Sequence, residues 1–351
     1  MTVYSFDQKF QLHGTGTAVS EFSKDFSNRF TIAFVYENPS SFVMQDLQIL
    51  SHVFRVVPFR WTGIASVGRL LQALLYSDIV FVWWTTGRAA MAAFVFAKVL
   101  RKVTVFVAGG SDVSPEKEIH GSDPRSAIRF LFAKVAIRLV DCVVAVSQFT
   151  MRDVFAISKP KRFAILYHGI DTRAFSSSEC EKDIVLTVVA RSARDYLWRK
   201  GLDRFLNVAS LLPNRKFVLA GEGGTSDLLR HVPMSNVTVT GKLNELIPLF
   251  QRARFYCQLS RHEGFGVAVA EAMACRCVPV VSDAGALPEL VGDCGVVVPN
   301  GDAVESAEAI ERLWNQSDRL GTAARSRIVV LCPLERRISG LTKLFANLRC
   351  V

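Results

Sequence analysis

Long apolar runs are missing from this chain. "SDIVFVWW" and "AAMAAFVFAKVL" are short or interrupted by Lys98, Arg101 and Lys102, and none reaches the roughly 18 residues that a membrane span requires. The opening "MTVYSFDQKFQLHGTGTAV" also lacks the basic start and apolar core of a secretory signal, so the expected location is the cytoplasm, its membrane face included. A disulfide framework is absent as well. The eight cysteines (142, 180, 257, 275, 277, 294, 332 and 350) are scattered through apolar contexts and are expected to be buried free thiols. Cys275 and Cys277 form a CxC without a second ligand pair, so no metal and no other cofactor is expected. There is no internal repeat, low-complexity tract, nucleic-acid motif or lysine- and arginine-rich run, which argues against disordered, fibrous and nucleic-acid-binding classes. Acidic residues are scarce in the first half. Residues 1–175 carry 20 Lys and Arg against 13 Asp and Glu (+7), the remainder 22 against 19 (+3), which makes the formal charge +10. That surplus suits anionic lipid or a phosphorylated acceptor, and equally a basic surface with no specific partner.

What the chain does have is apolar content and alternation. Half of its 351 residues are hydrophobic, enough for two domains with substantial cores at about 100 to 200 residues each. Short β-branched runs alternate with longer amphipathic stretches, the signature of parallel sheet with crossover helices and so of an α/β fold. Strands are predicted in 29–37, 54–59, 77–84, 102–110, 141–147 and 161–169, then again from 184 through "KFVLAGEG", "NVTVTGKL", "RFYCQLS", "VPVVSD" and "GVVVPNGD". Between the two sets, "DTRAFSSSECEKD" (171–183) has the polar composition of a linker. The division is therefore 1–172, with 1–28 as an extension whose role stays open, then 173–332, then 333–351 as a closing helix whose Pro333 suits a first turn and which could pack back on the first domain.

The stretch "RHEGFGVAVAEAMACRCVPVV" (261–281) carries the most chemistry. Glu263 and Glu271 are eight residues apart, which on one continuous helix would separate them by about 80°. With Gly264, Phe265 and Gly266 as a turn and a helix from near Val267, Glu263 stands on the loop beside the free amides of the helix start, which favour anionic or oxygen-rich ligands. Glu271 lies a turn further in, where a carboxylate can accept two hydrogen bonds from a vicinal diol such as ribose. Acidic residues in a first turn also stabilise the helix dipole, by about 0.3 to 1 kcal/mol. Upstream, Arg191 at a strand end and Lys200 at a helix entry suit a diphosphate, although an ordinary surface pair has the same appearance. "LAGEGG" and "VTGKL" add glycines at strand ends, where open α/β sheets bind ligands.

Taken in order, "DCVVAVSQFT", "LYHGIDTRAF", "VVARS", "RKGLD", "LAGEG", "VTGKL", "SRHEGFGVAVAEAMA", "PVVSDAGALPELV" and "GVVVPNGD", spanning about 141 to 302, resemble the retaining glycosyltransferases of family 4 and their E-x7-E signature. The resemblance implies a GT-B fold, two Rossmann-like doubly wound domains facing an interdomain cleft. It implies a metal-independent, retaining transfer of a sugar from a UDP- or GDP-sugar to a glycan, lipid-linked or other hydroxyl acceptor held by the first domain. Arg191 and Lys200 would bind and neutralise the diphosphate, Glu263 would face the transferred sugar, and amides near Phe265, Gly266 and Val267 would hold hydroxyls and phosphate. Glu271 would take the ribose, with Lys242 and Leu243 beside the base.

The first half departs from that pattern. In place of a glycine-rich loop after the first strand stands "YENPSSFVMQDLQIL", where Ser40 and Ser41 can cap a helix and would lie on the acceptor side. In place of the family's histidine stands "VAGGSDV", where Gly110 allows close approach and Asp112 either contacts a sugar hydroxyl or caps a helix. His168 and Asp171 are expected as hinge and turn residues, His262 as a polar neighbour of Glu263. Arg276 stands where a left-handed helix end is expected and glycine is usual. A silent subunit of the same fold and a nucleotide-sugar epimerase are the alternatives. The first would usually have lost the diphosphate cations or the glutamates, and the EGFG spacing argues against the second.

Overall fold

The computed structural model describes residues 30–84, 88–115, 126–222 and 235–348. The chain divides into two compact units, Met1–Gly169 with Glu335–Val351, and Ile170–Leu334. The extension 1–28 lies outside the described residues but for its neighbour Phe30 onward.

The first unit is a six-stranded parallel sheet of β1 (Thr31–Tyr36), β2 (Arg55–Arg60), β3 (Ile79–Trp83), β4 (Val103–Ala108), β5 (Cys142–Ala145) and β6 (Phe163–Ile165), in the order β2-β1-β3-β4-β5-β6. The second repeats the plan with β7 (Ile184–Val188), β8 (Lys216–Ala220), β9 (Val237–Gly241), β10 (Ala253–Gln258), β11 (Val278–Ser282) and β12 (Val296–Val298), in the order β12-β11-β10-β7-β8-β9. Central strands such as β3 and β7 are buried along their whole length, which is why they read as unbroken apolar runs. In each sheet the winding direction reverses once, between β1 and β3 and between β7 and β10. Such reversals open a crevice at the carboxyl ends of the two strands.

The serine-rich stretch expected to link the domains lies inside the second unit. Arg325 donates to the carbonyls of Thr172 and Phe175, both at 2.8 Å, and Gln251 Nε2 donates to Ser176 O at 3.0 Å, so cations and amides from the second unit satisfy its backbone. The closing helix, Leu334–Leu348, belongs to the first unit. Its Arg337 donates to both carboxylate oxygens of Asp46 at 2.9 and 2.6 Å and to the carbonyl of Leu166. Cys180 is exposed, against the expectation of burial, because the polar 171–183 stretch has no core of its own. Cys142, Cys257, Cys275, Cys277 and Cys332 are buried free thiols, Cys294 is half-buried, and Cys350 lies outside the described residues. Among the described residues no helix is long and apolar enough to cross a membrane.

Candidate active site

At the reversal point of the second sheet, the segments leaving β7 and β10 meet. After β7 comes a short helix, Arg194–Arg199, that no local pattern announced, then Lys200 and Gly201. Gly201 takes φ +69° and passes so close to the carbonyl of Leu259 that a Cβ would sit 1.9 Å from it. This contact seats Lys200 against the end of β10. Its Nζ reaches Glu263 Oε2 at 2.5 Å, with the two side chains only 17% and 14% exposed. Burial works against charge on Glu263, but Lys200, assisted by Arg199 and His262, outweighs it and holds the carboxyl below its ordinary range. Lys200 is raised in turn: burial opposes the ammonium, and Glu263 more than compensates. The pair is therefore ionised, and Ser260 Oγ also approaches Glu263 Oε2, at 3.4 Å. Ser260 accepts from Gln258 Nε2 at 2.8 Å, and Gln258 accepts from Tyr256 OH at 3.2 Å.

Arg191 is exposed at the exit of β7. Its guanidinium lies 5.7 Å from the Tyr196 ring, which also faces Lys200 Nζ at 5.7 Å and the Arg199 guanidinium at 5.3 Å. Three cations thus share one aromatic ring within cation–π range. The turn Gly264–Gly266 ends in Gly266 at φ +96°, the N-cap of the helix Val267–Ala274. Phe265 is buried, its ring packed in the second unit. One helical turn on, the Glu271 carboxylate has no hydrogen bond or ion pair among the described residues, and burial pushes it up to about 8. Lys242, beyond β9, comes within 3.8 Å of Glu222, and Leu243 beside it is half-buried.

Residues 183–316 match the profile of the family described as "Glycosyl transferases group 1". The second unit is a group 1 glycosyltransferase domain. The chain is 28% identical over 178 residues to the GDP-mannose:cellobiosyl-diphosphopolyprenol alpha-mannosyltransferase of Xanthomonas oryzae, 44% of either chain. It is 29% identical over 215 residues to the MMP alpha-(1->4)-mannosyltransferase of Mycolicibacterium hassiacum, 56% of this chain and 51% of that one. These matches span about half the length of the relatives or less. Both units together have the GT-B fold: the sucrose-phosphate synthase of Thermosynechococcus elongatus superposes with TM-score 0.75 at 16% identity, covering 92% of this chain and all of that one. The Anabaena protein Alr3699/HepE, solved with UDP-glucose, superposes with TM-score 0.74 at 16% identity, covering 91% and 100%.

In the glycosyltransferase domain, then, Arg191, Lys200, Glu263 and the Gly264–Val267 turn converge, with Glu271 on the same helix. Sequence reasoning missed two contributors. One is Tyr196, whose role emerges only once the helix Arg194–Arg199 folds. The other is Gly285, at φ +67° after β11, where a Cβ would lie 2.1 Å from the carbonyl of Glu263. Ala286 N donates to that carbonyl at 2.9 Å, so the β11 loop fixes the backbone of Glu263. Gly285→Ala is expected to displace Glu263 and lower activity by about 10²-fold, the order that a shift of about 1 Å costs. Steady-state rates set beside a melting curve will show whether activity falls further than folding does.

The first unit gathers its own residues at the ends of β1, β3 and β4. Ser40 is the N-cap residue of the helix Ser41–Val53, yet its hydroxyl makes no capping bond; the Met44 amide closes on the Ser40 carbonyl at 3.0 Å instead. Ser41 is exposed on the first turn. Asp112 holds its own loop. Its Oδ1 accepts from the Gly109 amide at 3.0 Å and braces the loop in which Gly110 takes φ +120°. His168 is buried and stacks on Trp83 at 5.8 Å, and burial followed by Arg337 holds it well below its ordinary range. Trp83, Trp84 and Phe42 complete an aromatic cluster there, with Trp84 at φ +65°. Asp171 Oδ1 accepts from the amides of Arg173 and Ala174 at 3.0 and 3.1 Å, a turn former as expected. Arg276 occupies the left-handed helix end at φ 62°.

Proposed function

We propose that the chain transfers a hexose from a nucleotide-diphospho-sugar, UDP- or GDP-linked, to a hydroxyl acceptor, with retention and without a metal. The observation that carries this reading is the ionised Lys200–Glu263 pair at the sheet reversal, flanked by Arg191 and by an uncommitted carboxylate, Glu271. In this reading Arg191 and Lys200 neutralise the diphosphate as its bond to the sugar breaks. Charge develops on the leaving oxygen, where fixed cations stabilise the transition state more than the ground state. Glu263, held ionised, faces the cationic sugar ring as an electrostatic and positioning group. Retention follows if the acceptor hydroxyl attacks from the leaving group's side and passes its proton to the departing phosphate. One relative in sequence carries GDP-mannose in its name, and the Anabaena neighbour was solved with UDP-glucose, so these two donors come first. A glycan or a lipid-linked sugar is the acceptor class, in line with the diphosphopolyprenol in that relative's name.

Saturation-transfer NMR against both donors, with Glu271→Gln alongside, tests the reading, followed by analysis of the anomeric product. Glu271 carries a pH signature of its own. If the ionised carboxylate holds the ribose diol, donor affinity rises about tenfold per unit as pH approaches 8, then levels off, and Glu271→Gln abolishes the dependence. Stability moves the other way. Between the ordinary value of 4.5 and about 8 the folded chain keeps a proton that the unfolded chain has lost, so stability falls with rising pH over that window. A folded protein that binds neither donor would instead be a silent subunit.

A further inference from the structure

Three helices of the first unit, Val67–Leu75, Arg88–Val99 and Ser126–Leu139, pack side by side against one face of its sheet. With the turns that follow them, residues 67–76, 88–102 and 126–140, they carry eight lysines and arginines and no aspartate or glutamate. A surface helix ordinarily turns its apolar stripe inward and polar side chains outward. Here outward positions are apolar too. Val99 is 75% and Tyr76 73% exposed, Leu75 and Val95 are exposed on the same two helices or the turns after them, and Phe130 and Leu131 are exposed on the third.

Bonds between the helix ends bring Leu75, Tyr76, Val99 and Arg101 into one patch. Lys102 Nζ donates to the Leu75 carbonyl at 3.4 Å, which puts Leu75 and Tyr76 next to the turn that carries Val99 and Arg101. Lys98 Nζ reaches Asp141 at 2.9 Å, at the end of the third helix. The nearby carboxylates are already committed. Asp78 accepts from the Thr31 amide at 2.8 Å, and Asp141 takes Lys98, Lys161 and Thr104. Arg69 and Arg101 are exposed and have no ion pair among the described residues.

We propose that this face docks on an anionic bilayer surface. Apolar side chains entering the headgroup layer and cations at lipid phosphates are two weak signals that together hold a peripheral protein. A bilayer offers both complements at once, negative charge at its surface and hydrocarbon below. A second copy of the chain does not, because the face would meet its own positive surplus.

Co-sedimentation of the full chain with phosphatidylcholine vesicles, with and without about one-third phosphatidylglycerol, is the test. The wild type should sediment with the anionic vesicles only, and less so at high salt. Tyr76→Ser/Val99→Ser and Arg101→Gln/Lys102→Gln should each lower partitioning at least about tenfold. Tyr76, Val99 and Arg101 are exposed and Lys102 is half-buried, and melting curves of the same samples report that both variants are folded. Donor binding without vesicle binding in the wild type would sink the bilayer reading alone. So would variants that sediment as the wild type does, or a dimer in light scattering that the variants abolish, which would assign the face to a second copy.

Discussion

Lys200→Ala is expected to lower sugar transfer by about 10³-fold and to destabilise the second unit by about 2 kcal/mol, less than the roughly 3 to 5 kcal/mol for breaking a fully buried ion pair because both side chains keep some contact with solvent. The variant leaves Glu263 with its neighbours Ser260, Arg199 and His262 but without the ammonium at 2.5 Å that holds it ionised. Desolvation then dominates and the carboxyl rises, so the negative charge proposed to face the sugar is lost together with one of the two cations proposed to hold the diphosphate. Glu263→Gln leaves the ammonium in place and should bind donor while transferring it poorly. Lys200→Met/Glu263→Leu removes both charges, so it should recover stability relative to Lys200→Ala and remain inactive. Urea unfolding and single-turnover rates on the three variants separate folding from chemistry. If Lys200→Ala kept near-normal rates, this pair would not be the centre of the reaction.

Arg337→Ala should cost the first unit about 3 to 5 kcal/mol, the larger stability effect of the two. Arg337 and Asp46 are 0% and 1% exposed, and the guanidinium satisfies both carboxylate oxygens as well as the carbonyl of Leu166. Without it, Asp46 is left charged in the core and the closing helix loses its polar anchor, although Phe345 still packs on Phe30, Phe54 and Phe81. Arg337→Met/Asp46→Leu should be far less destabilising, because apolar groups of similar size need no partner. Hydrogen exchange across 334–348 will show whether this helix opens first. Equal stability of Arg337→Ala and wild type would mean that the aromatic contacts alone hold it.

Much of this was legible without coordinates, and the exceptions share a cause. Each of the twelve strands coincides with a predicted run, because β-branched residues, and in the central strands burial on both faces, leave a mark within five or six residues. The helix start at Val267 was legible for the same reason, as a glycine turn followed by an apolar run. Arg276 at a left-handed helix end could be placed from its neighbours alone. The helix Arg194–Arg199 could not: "RDYLWR" is short and polar, and it is held by Arg261, whose guanidinium donates to Trp198 O and to Asp203 from beyond β10. The serine-rich 171–183 stretch looked like a linker because composition reports what a segment lacks, and Arg325, some 150 residues away, supplies the partners it needs.

Local pattern was therefore sufficient for the α/β class, the two successive sheets, and the types of residue that could meet a diphosphate and a diol. Periodicity and turn chemistry act over a few residues, and so they survive in the one-dimensional record. The tertiary structure alone decided that Lys200 and Glu263 neutralise each other, that Tyr196 collects three cations, and that Gly285 fixes the Glu263 backbone. It also decided that Arg337 closes on Asp46, 291 residues away. Those contacts depend on where the sheet winding reverses and on desolvation at the point of contact, and neither quantity belongs to any residue before the chain has folded.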